Sequence, residues 1–225
     1  MRQTTLTITI LISFIITSCA TSPTNTQTIV KTKQQPTVLA DDSVQTLLSG
    51  AISASPGRAN SLRFQAAKKS MLLGNIDQAE NILDLINDTS SGADSLTFAL
   101  LRTKIAIHRG DAKSALHWLR NNSITSGSLK KSDQIQVGLL RSQAFHLNRS
   151  YIASARERIF LDSSIPRTER PQNHEMIFST LMELSASTLT KQAQKAMTSD
   201  LRGWLSLAAM SKQHQNNPLA QLEEL

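Results

Sequence analysis

Apolar residues recur at helical spacing from about residue 41 onward. Ile76, Ala79, Leu83 and Ile86 share one face of a 3.6-residue helix, and so do Ala112, Ala115, Leu116 and Leu119. Val137, Leu140, Ala144 and Leu147 repeat the pattern, as do Leu201, Trp204, Leu205 and Ala208. Such stripes mark helices that bury one side. Asp41-Asp42-Ser43 supplies capping side chains where the pattern begins. No stretch after residue 40 alternates as a half-buried strand does. The pattern predicts an all-α domain of about ten or eleven short helices over residues 41–225.

Two segments resemble each other. Residues 67–79 read Ala-Lys-Lys-Ser-Met-Leu-Leu-Gly-Asn-Ile-Asp-Gln-Ala, and residues 103–115 read Thr-Lys-Ile-Ala-Ile-His-Arg-Gly-Asp-Ala-Lys-Ser-Ala. Both place Gly, then Asn or Asp, then Ala five positions after the Gly. A glycine ends a helix in the left-handed region without steric cost. The next polar side chain caps the following helix, and the small Ala lets the two helices approach. A looser third copy runs through residues 144–153, 38 residues beyond the second. A period of about 34 to 38 with this turn resembles the tetratricopeptide repeat. The expected fold is a right-handed superhelix of antiparallel helix pairs, a tetratricopeptide-like solenoid.

The amino-terminal end is of another kind. One positive charge, Arg2, precedes an apolar run from Leu6 to Ile16. That run is shorter than the roughly 20 residues of a membrane span and has the layout of a secretory leader. Ile16-Thr17-Ser18-Cys19 resembles the lipobox of bacterial lipoproteins. By that resemblance, residues 1–18 are a signal peptide, Cys19 carries the lipid, and the protein is held to a membrane through it. Ala20 in the next position implies the outer membrane. The alternative is a leader cut elsewhere, with Cys19 a passenger. Residues 19–40 are rich in Thr and Gln and lack an acid, which suits a disordered tether of roughly 25 Å average span.

Composition narrows the chemistry. The chain has 225 residues, 4% aromatic, with a formal charge of +7. Its basic residues are scattered, with only the pairs Lys68-Lys69 and Lys130-Lys131, so no nucleic-acid arm is implied. One cysteine permits neither an intrachain disulfide nor a Cys-based zinc site. The five histidines, His108, His117, His146, His174 and His214, lack metal-ligand spacing. His108 and His146, just before the repeat turns, are expected to help cap helix carbonyls. No phosphate loop, nucleophile elbow or Glu-Ser pair of a lytic transglycosylase is present, so neither a catalytic residue nor a cofactor site is assigned. Of the two tryptophans, Trp204 lies on an apolar stripe and is expected in the core. Trp118 lies beside its stripe and is the candidate for a partner contact.

One further likeness involves the chain's end. Leu201-Arg202-Gly203-Trp204-Leu205-Ser206-Leu207-Ala208 and Asn216-Asn217-Pro218, with Phe178-Ser179-Thr180-Leu181 and Met197-Thr198-Ser199-Asp200 before them, resemble the penicillin-binding protein activator LpoA family. Together with the lipobox, the polar tether and the paired helices, the likeness covers essentially the whole chain. It implies an outer-membrane lipoprotein, without enzymatic activity, that activates peptidoglycan synthesis by a class A penicillin-binding protein. Family members continue into a second domain that resembles periplasmic binding proteins and contacts the synthase. The present chain, ending at Leu225, is expected to correspond to the amino-terminal part only. The alternative is a helical-repeat lipoprotein serving as an adaptor for outer-membrane or pilus assembly. Oligomeric state is not legible.

Overall fold

Three sharp reversals organise the chain, and each needs one residue in the left-handed backbone region. In the computed structural model, which describes residues 42–86, 92–120 and 129–216, these residues are Gly74 (φ +79°), Gly110 (φ +73°) and Arg149 (φ +56°). The hydrogen bonding is the same at all three. The residue's own N–H bonds to the carbonyl three back: Met71, Ile107 and His146. The next N–H reaches the carbonyl five back: Ser70, Ala106 and Phe145. This pairing satisfies the orphan carbonyls of a helix end and turns the chain back on itself.

The chain divides into two units, Met1–Leu39 and Ala40–Leu225, and every described residue lies in the second. The described residues form ten helices and no strand. They are α1 (Asp42–Ile52), α2 (Pro56–Leu72), α3 (Ile76–Asp84), α4 (Gly92–His108), α5 (Ala112–Trp118), α6 (Lys131–Leu147), α7 (Tyr151–Leu161), α8 (Arg170–Met182), α9 (Ala186–Lys195) and α10 (Ser199–Asn216). The three reversals join α2 to α3, α4 to α5 and α6 to α7. No described helix is long and apolar enough to cross a membrane.

The residue after each reversal starts the next helix. Asp111 does so with its side chain, accepting the Ser114 N–H at 3.0 Å. Hydrogen bonds from the Ser114 side chain and backbone hold its carboxyl below the usual range. Asn75 and Ser150 occupy the same backbone position without a side-chain cap. Five positions after each reversal sit Ala79, Ala115 and Ser154, all buried. Seven before it sit Ala67, Thr103 and Ser142, also buried. In the third pair these small residues touch. Ser154 Oγ donates to the Ser142 carbonyl at 2.8 Å, and the two hydroxyls lie 3.0 Å apart. Gly138 permits the same closeness further along. A Cβ there would stand 2.6 Å from Leu161 Cδ1.

Three apolar cores follow one another along the chain. The first gathers Phe64, Ile76, Ile82 and Leu83 with Leu101 and Ile105 of α4. The second gathers Leu100 of α4 with Leu119, Val137 and Leu140. The third gathers Ile177, Leu181, Leu189, Leu201 and Leu205 from α8, α9 and α10. Helix α4 serves two cores because opposite sides of it are covered by neighbouring pairs. Each pair leaves an apolar face for the next to bury, which is how a repeat stack gains cooperativity.

A polar seam precedes the third core. Arg158 is buried, and its Nη1 donates to Asn173 Oδ1 at 3.1 Å. Asn173 Nδ2 donates to the Arg158 carbonyl (3.2 Å) and to Asp162 Oδ1 (3.1 Å). His174 Nε2 also reaches Asp162 Oδ1, at 2.9 Å. Burial weakens the hold of Arg158 on its proton. Burial also pushes the Asp162 carboxyl upward, but hydrogen bonds from Asn173 and His174 and the charges of His174 and Arg170 outweigh it. The net shift is below the ordinary value of 3.8.

Two expectations need correction. The third repeat copy is shifted by one residue: the left-handed residue is Arg149, not Asn148, and the small residue is Ser154, not Ala153. The 38-residue spacing aligns Gly110 with position 148, yet α6 runs one residue further before closing. Leu147 then falls at the mouth of the turn and is 41% exposed rather than buried with Val137, Leu140 and Ala144.

Arg149 bears the steric cost that glycine avoids at the other two reversals, about 1–2 kcal/mol for an L side chain. Arg149→Gly should therefore stabilise the fold by about 1 kcal/mol in urea unfolding, while Gly110→Ala should lose a similar amount. Asp162 acts through a depressed folded pKa. Its contribution is present above the unfolded value of 3.8 and fades as pH falls through the lower folded value. Urea midpoints measured from neutral pH down to about pH 2 should fall more steeply for the wild type than for Asp162→Asn. Parallel curves would remove Asp162 from the seam.

Candidate functional site

Trp118 ends α5, half-buried, against the outer side of α4. Its ring meets Phe98 edge-on, with centroids 5.7 Å apart and planes at 78°. The Arg102 guanidinium lies 5.1 Å from the Phe98 centroid and 5.9 Å from that of Trp118. Phe98 and Arg102 are four apart on α4, so they share a face. The two rings thus flank a cation, an arrangement favoured by the negative ring faces. The side chain of Arg102 is only 13% exposed.

Acidic residues on α3 neutralise that cation. Asp77, Glu80 and Asp84 fall on one face of α3, and Arg102 and Arg109 fall on one face of α4. Arg102 Nη1 lies 3.4 Å from Glu80 Oε1, and its Nη2 contacts Asp84. Arg109 Nη2 lies 2.6 Å from Asp77 Oδ1, and its Nη1 contacts the other oxygen of Glu80. Hydrogen bonds to Asp77 and Glu80 strengthen the hold of Arg109 on its proton. The ladder ties α3 to α4, across the junction between successive helix pairs. Arg102 Nε is buried without a hydrogen-bond partner among the described residues, so the guanidinium is fixed by its two terminal nitrogens.

Cys19 lies outside the described residues. Trp118 is placed at the rim of a cation box, with His117 edge-on beside it at 5.7 Å. Trp204 packs against the third core, and the His174 ring lies 5.5 Å from it. The ring of His146 stands edge-on to Tyr151, across the reversal, at 5.3 Å. Its partner is therefore an aromatic face. Among the described residues no group of three or more His, Cys, Asp and Glu could hold a metal ion. The surroundings of Trp118 offer adhesion, an aromatic edge beside a neutralised guanidinium, and no nucleophile or base aimed at a common point.

Sequence reasoning missed Phe98, Arg102 and the ladder. Their signal was present. Carboxylates at i, i+3 and i+7 on α3 precede arginines seven apart on α4, a complementary spacing in adjacent repeat helices. What spacing does not reveal is that α5 folds its last ring over the same arginine.

Helix pairs joined by left-handed reversals, with small residues at each crossing and cores in series, define a helical-repeat protein. The chain belongs to the LppC putative lipoprotein family, whose profile matches residues 37–225. Full-length LpoA from Haemophilus influenzae shares its fold, with a TM-score of 0.59 and 16% identity over 77% of this chain. The present chain spans 31% of that protein's length. The LpoA N-terminal domain from the same organism gives a TM-score of 0.56 and 16% identity over 82% of each chain. No curated protein matches the chain in sequence.

The cation box generates a coupling that can be measured. Arg102→Met and Trp118→Leu should each destabilise the domain, by roughly 1–2 kcal/mol in urea unfolding. The double variant should lose less than the sum, by at least about 0.5 kcal/mol. Strict additivity would mean that ring and guanidinium merely adjoin.

Proposed function

We propose that this protein is a lipid-anchored, noncatalytic regulator that stimulates peptidoglycan synthesis by a class A penicillin-binding protein. The family match over residues 37–225 carries the reading. The fold shared with the LpoA N-terminal domain supports it.

The anchor would be lipid on Cys19, after removal of residues 1–18, with the helical domain on the periplasmic side of the outer membrane. A tether over residues 19–40 would keep that domain near the bilayer. Contact with a partner protein would use exposed side chains of the stack, the open edge of Trp118 among them. Regulation by contact requires only that the bound synthase favour its active state, so the regulator needs no cofactor or reacting group of its own.

Purified full chain added to a class A synthase and lipid-linked disaccharide-peptide substrate should raise the rate of glycan polymerisation several-fold, and should recover the synthase from envelope extract. An unchanged rate together with no recovery would overturn the activator reading. Cells fed radioactive palmitate should label the wild-type chain and not Cys19→Ser; equal labelling of both would remove the lipid anchor from Cys19.

A further inference from the structure

The first helices of successive pairs, α2, α4 and α6, pack side by side. Two cavities open on the face they form. The smaller, about 240 Å³, is bordered by Lys68, Leu100, Lys104, Asp133 and Gln136. The larger, about 420 Å³, is bordered by Met71, Lys104, Ile107, His108, Gln136 and Gln143. Lys104 and Gln136 border both, so the two cavities adjoin.

Lys68 and Lys104 hold the same place in their repeats, each six residues before the left-handed glycine. The stacking of α4 on α2 therefore brings both lysines to the border of the smaller cavity. Neither makes an ion pair among the described residues, although acids elsewhere pair with arginines across the same junction. Lys104 is half-buried. Burial, and then the charge of Lys68, loosen the hold of Lys104 on its proton. Asp133 also borders the smaller cavity, without a salt bridge to either lysine, and its carboxylate receives the Ser132 hydroxyl. Two like charges bordering one cavity form a site for an anion, because a bound carboxylate offsets the burial of Lys104 and the repulsion from Lys68.

We propose that this face binds an acidic peptide segment of a partner protein, with a carboxylate seated between Lys68 and Lys104. The joined cavities are larger than a lone anion needs, and they carry the two things an extended peptide uses. Gln136 and Gln143 offer side-chain amides for its backbone, and Met71, Leu100 and Ile107 offer apolar contact. Arginine, which grips phosphate in a bidentate fork, borders neither cavity. The proposal does not depend on the partner being a peptidoglycan synthase.

The test is fluorescence anisotropy of a labelled decapeptide alternating Glu with Leu, titrated with the full chain. Its counterpart with Gln for Glu should bind at least about tenfold more weakly. Lys104→Gln and the double variant Lys68→Gln, Lys104→Gln should lose about tenfold or more, whereas Lys104→Arg should keep binding within about threefold. The remote pair Lys191→Gln, Lys195→Gln on α9 lowers net charge equally and should bind as the wild type does. Thermal melts of the variants should coincide with the wild type, and Lys104→Arg guards against a loss that is merely structural. Equal binding of the Glu and Gln peptides, equal weakening by the remote pair, or displacement by inorganic phosphate at peptide-like concentrations would each overturn the proposal.

Discussion

The fold depends on one backbone state, the left-handed residue that closes α2, α4 and α6. It sends the chain back along itself within two residues, so the helix that follows must lie against the helix that ended. Everything later is a consequence of that contact. The crossing demands small side chains, and Ala67, Ala79, Thr103, Ala115, Ser142 and Ser154 meet the demand. The pair then presents an apolar face on its outer side, which the helices that follow cover. Residues at equal distances from successive reversals come to stand beside one another. That is how Lys68 and Lys104 come to border one cavity.

The junctions between pairs are not alike. The first is held by a core and reinforced by the ladder from Asp77, Glu80 and Asp84 to Arg102 and Arg109. The one leading into the third core carries Arg158, Asp162, Asn173 and His174, where hydrogen bonds add to apolar contact. Polar groups in such a seam contribute modestly while paired and cost more when a partner is lost. They also fix register, because a slide of one helix past another would leave several of them unmet. The ladder, partly exposed, is sensitive to salt, whereas the seam is shielded from it.

Much of this was legible in the residues. The stripes through Ile76, Ala112 and Leu201 are buried as their spacing implied, with Leu116 and Trp204 partly so, and the glycine reversals follow from the short likeness between residues 67–79 and 103–115. Arg149 was not legible, because nothing in an arginine signals a positive φ. The spacing of 38 placed the third copy at residues 144–153, one residue short of the observed reversal. The surroundings of Trp118 were hidden for a different reason. Its place beside the stripe could be read, but the cation it faces is supplied by a helix from the same pair and neutralised by one from the pair before. Contacts between repeats are set by the period, and they become readable only once the period is known to the residue.

Cores arranged in sequence give this domain an unusual mechanical character. A protein with one central core resists stretching as a whole and then gives way at once. Here each apolar cluster is borne mainly by neighbouring helices. Tension applied along the stack can be relieved locally, one cluster at a time, while the rest stays folded. A stack built this way is suited to yield in parts under load rather than all at once.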